Sequence, residues 1–451
     1  MIERMKAVAA AGAVAAFWLA VWVFVAALVA QPLILPGPGA VVVALLRLVC
    51  DAGTWAILAG SGARILGGLA LAAVCGGLLA GISSRSRAFA RLVAPALSFV
   101  KATPVACVVV LLLIWLGSAR VSIAVVFLMA LPGVYFSLVE GLAQVDQPLE
   151  QMFRLHGVQG WRLFCAHTWR EVLPFVLSCA RAVIGMSWKA GVAAELIGMA
   201  TGTVGERIYQ AKLLIETADL LAWTVLVVAA SWACERVLVW LLRASGPVAW
   251  RTAVRAHGHG LRGRTGAASD GAAAELALAV GDRAPWAPAL DGLVLHVPAG
   301  GRTCVMGASG VGKSTLLALV AGECAPCSMV FQDVRLVEDA SALDNVLVCA
   351  DARVNTSSAA ALLRLLVPGI DVHARVAELS GGQRRRVEIA RALLCPGGAV
   401  ILDEPFTGLD IAARDACTEV VLDLLDGRML LLATHDSADA RALNISDIIT
   451  L

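Results

Sequence analysis

The stretch Gly307-Ala308-Ser309-Gly310-Val311-Gly312-Lys313-Ser314, followed by Thr315, has the residue types and spacing to enclose phosphates. Glycines at these positions let backbone N–H groups turn inward, and a helix starting at the lysine adds partial positive charge. Lys313 is placed to reach the β- and γ-phosphates, and Ser314 to ligate magnesium. A second set lies downstream. Ala399-Val400-Ile401-Leu402 ends in Asp403-Glu404. Asp403 can hold magnesium directly or through water, and Glu404 sits where a general base could polarise a water. Either segment alone could be an ordinary turn, Gly-rich in one case and acidic in the other. Together they define a site for a nucleoside triphosphate and Mg2+.

Such a site needs strands to end at it and a helix to start from it. Arg302–Met306 reads as the strand before the glycines and Thr315–Val320 as the helix after them. Four apolar residues before Asp403 suit a strand buried on both faces. The second half of the chain alternates short strands with helical patterns, the signature of a parallel α/β sheet.

The first half differs. Over the whole chain 59 % of residues are apolar and 16 % charged, too apolar for a wholly soluble or disordered protein. The net charge of +2 excludes bulk nucleic-acid binding, and 12 scattered cysteines read as small buried hydrophobes in a reducing cytoplasm. Of 12 tryptophans only Trp286 follows Trp250. Six apolar runs approach bilayer length: Val8–Ala30, Ile57–Ile82, Leu92–Leu116, Val121–Val139, Phe175–Gly198 and Leu220–Leu242. Arg4 and Lys6, Arg85–Arg91, Arg154–Arg170 and Arg243–Arg251 fall on one side if the runs alternate, which places both chain ends in the cytoplasm. Gly67, Gly68, Gly76, Gly77 and Gly81 would let the second run pack closely against another helix. Lys189 and Glu195 are charges within or near the fifth run; either they line a translocation path, or Glu195 lies at the outer interface and Lys189 snorkels or faces the bundle interior. The expected organisation is a membrane domain over 1–243, a Gly/Ala- and Arg-containing linker over 244–274, and an α/β domain over 275–451.

Between the phosphate loop and Asp403 lies Leu379-Ser380-Gly381-Gly382-Gln383, followed by Arg384, Arg385 and Arg386. This segment resembles the signature motif of ATP-binding-cassette (ABC) ATPases. Val330-Phe331-Gln332-Asp333 resembles the family's Q-loop, Pro405–Asp410 the approach to its D-loop, and Thr434-His435-Asp436 its switch histidine, all in family order. The resemblance implies ATP sandwiched between two head-to-tail cassettes, hence a homodimer. Ser380, Gly381, Gly382 and Gln383 of one chain would face Lys313 and Ser314 of the other. Gln332 would sense magnesium and the membrane domain, and His435 would contact the γ-phosphate. Trp286 would be the adenine-stacking aromatic. One departure stands out: only Ser314–Phe331 separates Lys313 from Gln332. Part of the antiparallel β subdomain must be trimmed there. Cys324 and Cys327, a C-x-x-C in that stretch, read as a compact turn rather than a metal or redox pair.

The loop between runs four and five contains Glu150, Gly157 and Leu173-Pro174. It resembles the cytoplasmic coupling loop of bacterial ABC importer permeases, with Gln151 and Met152 in place of two alanines. Leu35–Pro38, Trp161–Phe164 and Val192–Gly198 resemble the nitrate/sulfonate/taurine-type permeases, whereas Trp169-Arg170 departs from them. A short helix with an apolar face through Met152, Phe153, Leu155, Trp161 and Phe164 would lie in a groove of the ATPase, and Gly157 would permit a sharp turn. What the two resemblances imply is an α-helical membrane bundle of about six spans fused to a P-loop ATPase. It would work as an importer of a small solute in the bacterial cytoplasmic membrane, contacting membrane lipid and a separate extracytoplasmic solute-binding protein. An exporter half-transporter and a non-transporting membrane ATP sensor are the rival readings.

Overall fold

The computed structural model describes residues 2–256, 276–279, 290 and 293–451. They form two compact units, Met1–Gln144 with Val172–Ser245, and Val145–Glu171 with Gly246–Leu451. The chain therefore leaves the first unit and returns to it, contributing a short internal segment to the second.

The first unit is helical: α1 (Ile2–Val29), α2 (Pro38–Cys50), α3 (Ala52–Arg85), α4 (Arg87–Ala102), α5 (Val105–Leu116) and α6 (Ser118–Ala143). After the inserted segment, with α7 (Gln147–Leu155) and α8 (Gly160–Leu163), come α9 (Trp169–Gly198), α10 (Val204–Leu213) and α11 (Thr217–Arg255). Among the described residues, five helices are long and apolar enough to cross a membrane, or six if the bent pair α4–α5 counts as one. That pair corrects the third expected span. Leu92–Leu116 is not one rod but two helices bent by 102° at Thr103-Pro104, because proline offers no N–H to continue the ladder. The fifth run also starts earlier than expected. Helix runs from Gly160 through a π turn at Phe164–Thr168 into α9. Residues 244–255, expected as flexible spacer, continue α11; there Trp250 is buried and its Nε1 donates to Asp344 Oδ2 at 3.2 Å. Residues 257–274 lie outside the described residues.

Small residues hold the bundle together. Gly68, Ala72, Gly76 and Ala80, four apart on α3, are all buried. A Cβ on Gly68 would lie 2.5 Å from Ile123 O, and one on Gly76 2.8 Å from Val134 Cγ1. Gly67 and Gly81, also expected at a helix contact, face open space. Glu195 is fully buried. It accepts from Ser61 Oγ at 2.8 Å and Arg64 Nε at 3.1 Å, both on α3, and from Gly205 N at 3.4 Å on α10. That network fastens three helices. Lys189, by contrast, is exposed.

In the second unit, β1 (Leu276–Ala279) and β2 (Val294–Val297) form an antiparallel pair. The remaining strands are β3 (Arg302–Met306), β4 (Ser328–Val330), β5 (Ala399–Asp403), β6 (Met429–Thr434) and β7 (Asp447–Thr450). They form one parallel sheet ordered β4-β5-β6-β3-β7. Helices α12 (Lys313–Glu323), α13 (Ala342–Leu347), α14 (Thr356–Leu366), α15 (Gly381–Leu394), α16 (Ile411–Leu424) and α17 (Ser437–Ala442) complete it. Every residue of β5 and β6 is buried, as strands apolar almost to their ends and covered on both faces require. One core gathers α12, β4 and the inserted segment, including Met152, Phe153 and Val158; the other gathers α13, α14, α15 and α16. Chain from α12 to β4 is only Cys324–Cys327, with Cys327 buried and its thiol pushed up to about 12 by that burial.

Candidate nucleotide site and the loop beside it

Strands β3 and β5 end at one edge of the sheet, and their loops carry the expected phosphate and magnesium residues. After Met306 the chain turns through Gly310 (φ +82°) and Gly312 (φ +111°), values that only glycine adopts without strain. Lys313 is buried at the start of α12, and its Nζ donates to Gly307 O at 2.8 Å and Ala308 O at 3.0 Å. The loop thus folds back over its own lysine, with Ala308 and Ser309 exposed, and Gly307, Val311 and Thr315 half-buried.

At the end of β5, Asp403 is buried beside the Ser314 hydroxyl. Burial pushes its carboxyl above the usual range, against the pull of that hydroxyl; the neighbouring Glu404 pushes the same way, and Lys313 and Arg385 oppose it. A desolvated carboxylate beside a hydroxyl is a fitting donor pair for a hard cation that takes its other ligands from phosphate and water. No group of three His, Cys, Asp or Glu side chains gathers to hold a metal among the described residues.

Glu404 stands in the left-handed region at φ +45°. Its N–H donates to Ala433 O at 2.9 Å, and its Oε1 lies 3.4 Å from His435 Nδ1. The expected base and switch histidine are thus neighbours. His435 is 67 % exposed at its side chain, so it is open to a ligand. Gln332 is exposed after β4.

Ser380 caps α15. Its Oγ accepts from Gln383 N at 3.3 Å, while its own N–H donates to Gln383 Oε1 at 2.9 Å. Ser380 and Gly381 are exposed and Gly382 half-buried. Among the described residues, no bond joins this cap to Lys313 or Ser314. One chain brings the phosphate loop, Asp403, Glu404 and His435 together, and leaves the signature facing outward. Trp286 lies outside the described residues.

Sequence reasoning passed over Arg385. Its guanidinium donates to Phe331 O, to Gln332 O at 2.7 Å, to Glu404 O at 3.4 Å and to Glu388 Oε2 at 2.8 Å. It ties the signature helix to both the Q-loop-like segment and the Glu404 turn. Arg385, Glu388 and Arg391, three apart and almost fully buried, were the available signal: opposite charges at i, i+3 spacing along one face of a helix.

The inserted segment packs on the same unit. Met152 and Phe153 are fully buried. Gly157 turns at φ +79°. Leu155 O accepts from Cys327 N at 3.0 Å, and His156 Nε2 lies 3.1 Å from both N and O of Met329. The loop thereby completes the outer edge of β4. Burial, with Arg391 nearby, pushes the His156 imidazole down to about 3, so it is neutral. Arg162 donates to Ala253 O at 3.1 Å and Val348 O at 2.5 Å, and Arg335 to Pro148 O at 3.1 Å. Two expectations about this loop change. The apolar residues do not share one helix, since Gly157 separates α7 from α8. Trp161 is 71 % exposed rather than seated in a groove, stacking instead on Phe164 at 5.0 Å. Glu150 pairs with Arg154 along α7, and Pro174 lies inside α9, in the helical unit.

Residues 73–248 match the family of binding-protein-dependent transport system inner membrane components, and residues 290–407 match the ABC transporter family. The aliphatic sulfonates import ATP-binding protein of Escherichia coli strain K12 is 36 % identical over 176 residues, 34 % of this chain and 68 % of that protein. The corresponding protein of Rhizobium johnstonii is 36 % identical over 175 residues, 34 % of this chain and 64 % of that protein. A solved dimeric ATP-binding cassette in a post-hydrolysis state, bound to ADP and Pi, matches at 25 % identity over 36 % of this chain and 86 % of its own, with a TM-score of 0.33. The chain belongs to the ABC transporter family. It is a multi-pass membrane protein in which a permease domain and an ATP-hydrolysing cassette are fused.

Proposed function

We propose that the chain is the fused permease and ATPase of a bacterial ABC importer in the cytoplasmic membrane, working as a homodimer with a separate extracytoplasmic solute-binding protein. The observation that carries this reading is the inserted segment. Residues 145–171, flanked in sequence by permease helices, pack into the cassette unit through Met152, Phe153 and His156. A transport domain that lends a loop to its motor has a direct route for coupling the two. Exporters need helices extended far into the cytoplasm, and a mere ATP sensor has no use for Glu404 and His435 side by side.

In this reading Lys313 and the glycine loop bind the β- and γ-phosphates, and Ser314 and Asp403, with Gln332, hold Mg2+. Magnesium when bound neutralises phosphate charge. Glu404 orients and deprotonates the attacking water, and His435, 3.4 Å away, fixes the Glu404 carboxylate and faces the terminal phosphate. Ser380–Gln383 of the second chain close the site, which the outward-facing cap of α15 supports.

The solute we propose is a small organic anion of the aliphatic sulfonate class. The two relatives' names support that class, as do Arg181 and Lys189, exposed on α9 with no ion-pair partner among the described residues. Uptake of a radiolabelled alkanesulfonate into proteoliposomes, with the binding protein added, tests this. Uptake that needs ATP and is competed by other sulfonates is expected; ATP-dependent efflux, or no solute movement despite hydrolysis, would overturn it.

A further inference from the structure

A cavity of about 490 Å³ within the cassette unit has walls from two parts of the chain. Ser314, Asp403, Gln332 and Asp333 line it from the nucleotide site, and Gln151 and Arg154 line it from α7. Because only Cys324–Cys327 joins α12 to β4, α7 borders the space beside the magnesium residues directly.

The backbone around Arg154 is held firmly. The neighbouring Phe153 is fully buried, and Leu155 and His156 bond to Cys327 and Met329. The guanidinium itself is held lightly. Its partner is Glu150, one turn back on the same helix, at 2.9 Å from Nε and 2.6 Å from Nη2, and the arginine side chain is 58 % exposed. Exposed pairs of this kind are weak and readily exchanged. A phosphate offers a guanidinium two oxygens and more charge than Glu150 does. Arg335, the other cation on this cavity, is committed to Pro148 O and lies over the Phe331 ring at 3.7 Å.

We propose that Arg154 is a nucleotide-binding residue supplied in cis by the permease loop, exchanging Glu150 for the terminal phosphate of ATP. The inference rests on the reading of Ser314 and Asp403 as the magnesium end of the site. It gives the loop a nucleotide contact of its own. The cassette with ATP holds Arg154 toward the site, and the cassette with ADP returns it to Glu150.

Equilibrium competition of ATP and of ADP against a fluorescent ATP analogue, on the full chain in lipid nanodiscs, tests it. Arg154→Ala should weaken ATP about tenfold, the effect of one charge-assisted hydrogen bond, and ADP by less than about twofold. Arg154→Lys should fall between Arg154→Ala and the native chain. Glu150→Gln should tighten ATP about twofold, because a competing acceptor is gone. A pair that only stabilises α7 would move both variants the same way, and that result overturns the proposal. Equal losses of ATP and ADP, or unchanged ATP affinity in Arg154→Ala, also overturn it. Loss of ATP binding in Lys313→Ala, with Arg154→Ala unaffected, would leave the nucleotide site standing and remove Arg154 from it. A native chain that binds no ATP would overturn both readings.

Discussion

Lys313 is held by carbonyls five and six positions away, whereas His156 and Arg162 bond to atoms 173 and 186 positions away. The phosphate loop is a local device: glycines, a lysine and a hydroxyl in one short run, with a strand before and a helix after. The loop at 145–171 is a long-range device, built from a neutral histidine, an arginine and two buried hydrophobes that have meaning only against β4 and the ends of α11 and α13. In the proposed reading chemistry is concentrated in the first region and coupling in the second, so damage to the two should have different signatures.

The largest effect is expected at the local site. Glu404→Gln should keep ATP binding and reduce steady-state hydrolysis to below about a tenth of the native rate, because the water loses its base. A rate above that would mean Glu404 is not the base.

Next is the prediction that the site is local only in part. Lys313→Ala and Ser380→Ala chains should each be nearly inactive as homodimers. Co-expressed at equal levels, they should recover about a quarter of native hydrolysis, since half the dimers then hold one intact site of two. No recovery would argue that each chain completes its own site.

The smallest effect belongs to His156. Unfolded, its imidazole takes a proton as pH falls through its ordinary 6.5; folded, it resists to about 3. The folded state therefore loses stability as pH falls within that window. His156→Gln, which can still bond Met329, should flatten the fall of the melting temperature between pH 7 and pH 5. Identical slopes would show that the buried imidazole does not sense pH.

The same contrast governs what the sequence made legible. Arg302–Met306 appears as the strand expected, and the apolar run before Asp403 ends at the sheet edge where the site lies. Both follow from short-range pattern. The break at Thr103-Pro104 was legible in principle, since a proline inside an apolar run marks a probable discontinuity and Lys101 and Thr103 interrupt the run just before it, but the bilayer-length span of apolar residues on either side concealed it. The burial of Glu195 depends on Ser61 and Arg64, which are more than a hundred positions away. Trp161 looked like a groove residue because its type is apolar; its exposure follows from the turn at Gly157, which reorients everything after it. The Arg385 network joins α15 to two loops, and no spacing rule within α15 announces those partners.

The central claim is that the loop before the fifth span transmits cassette motion to the permease. Gly157 sits at φ +79°, where a β-branched residue is strongly disfavoured. Gly157→Val should therefore displace the Met152–Phe153 face while leaving Lys313, Asp403 and Glu404 chemically intact. The decisive measurement is solute uptake and ATP hydrolysis recorded together in proteoliposomes of this variant. The account predicts that uptake falls at least about tenfold while basal hydrolysis at saturating ATP, where a weaker Arg154 contact no longer limits occupancy, stays within about twofold of native; a parallel fall of both, or no fall in uptake, would contradict it.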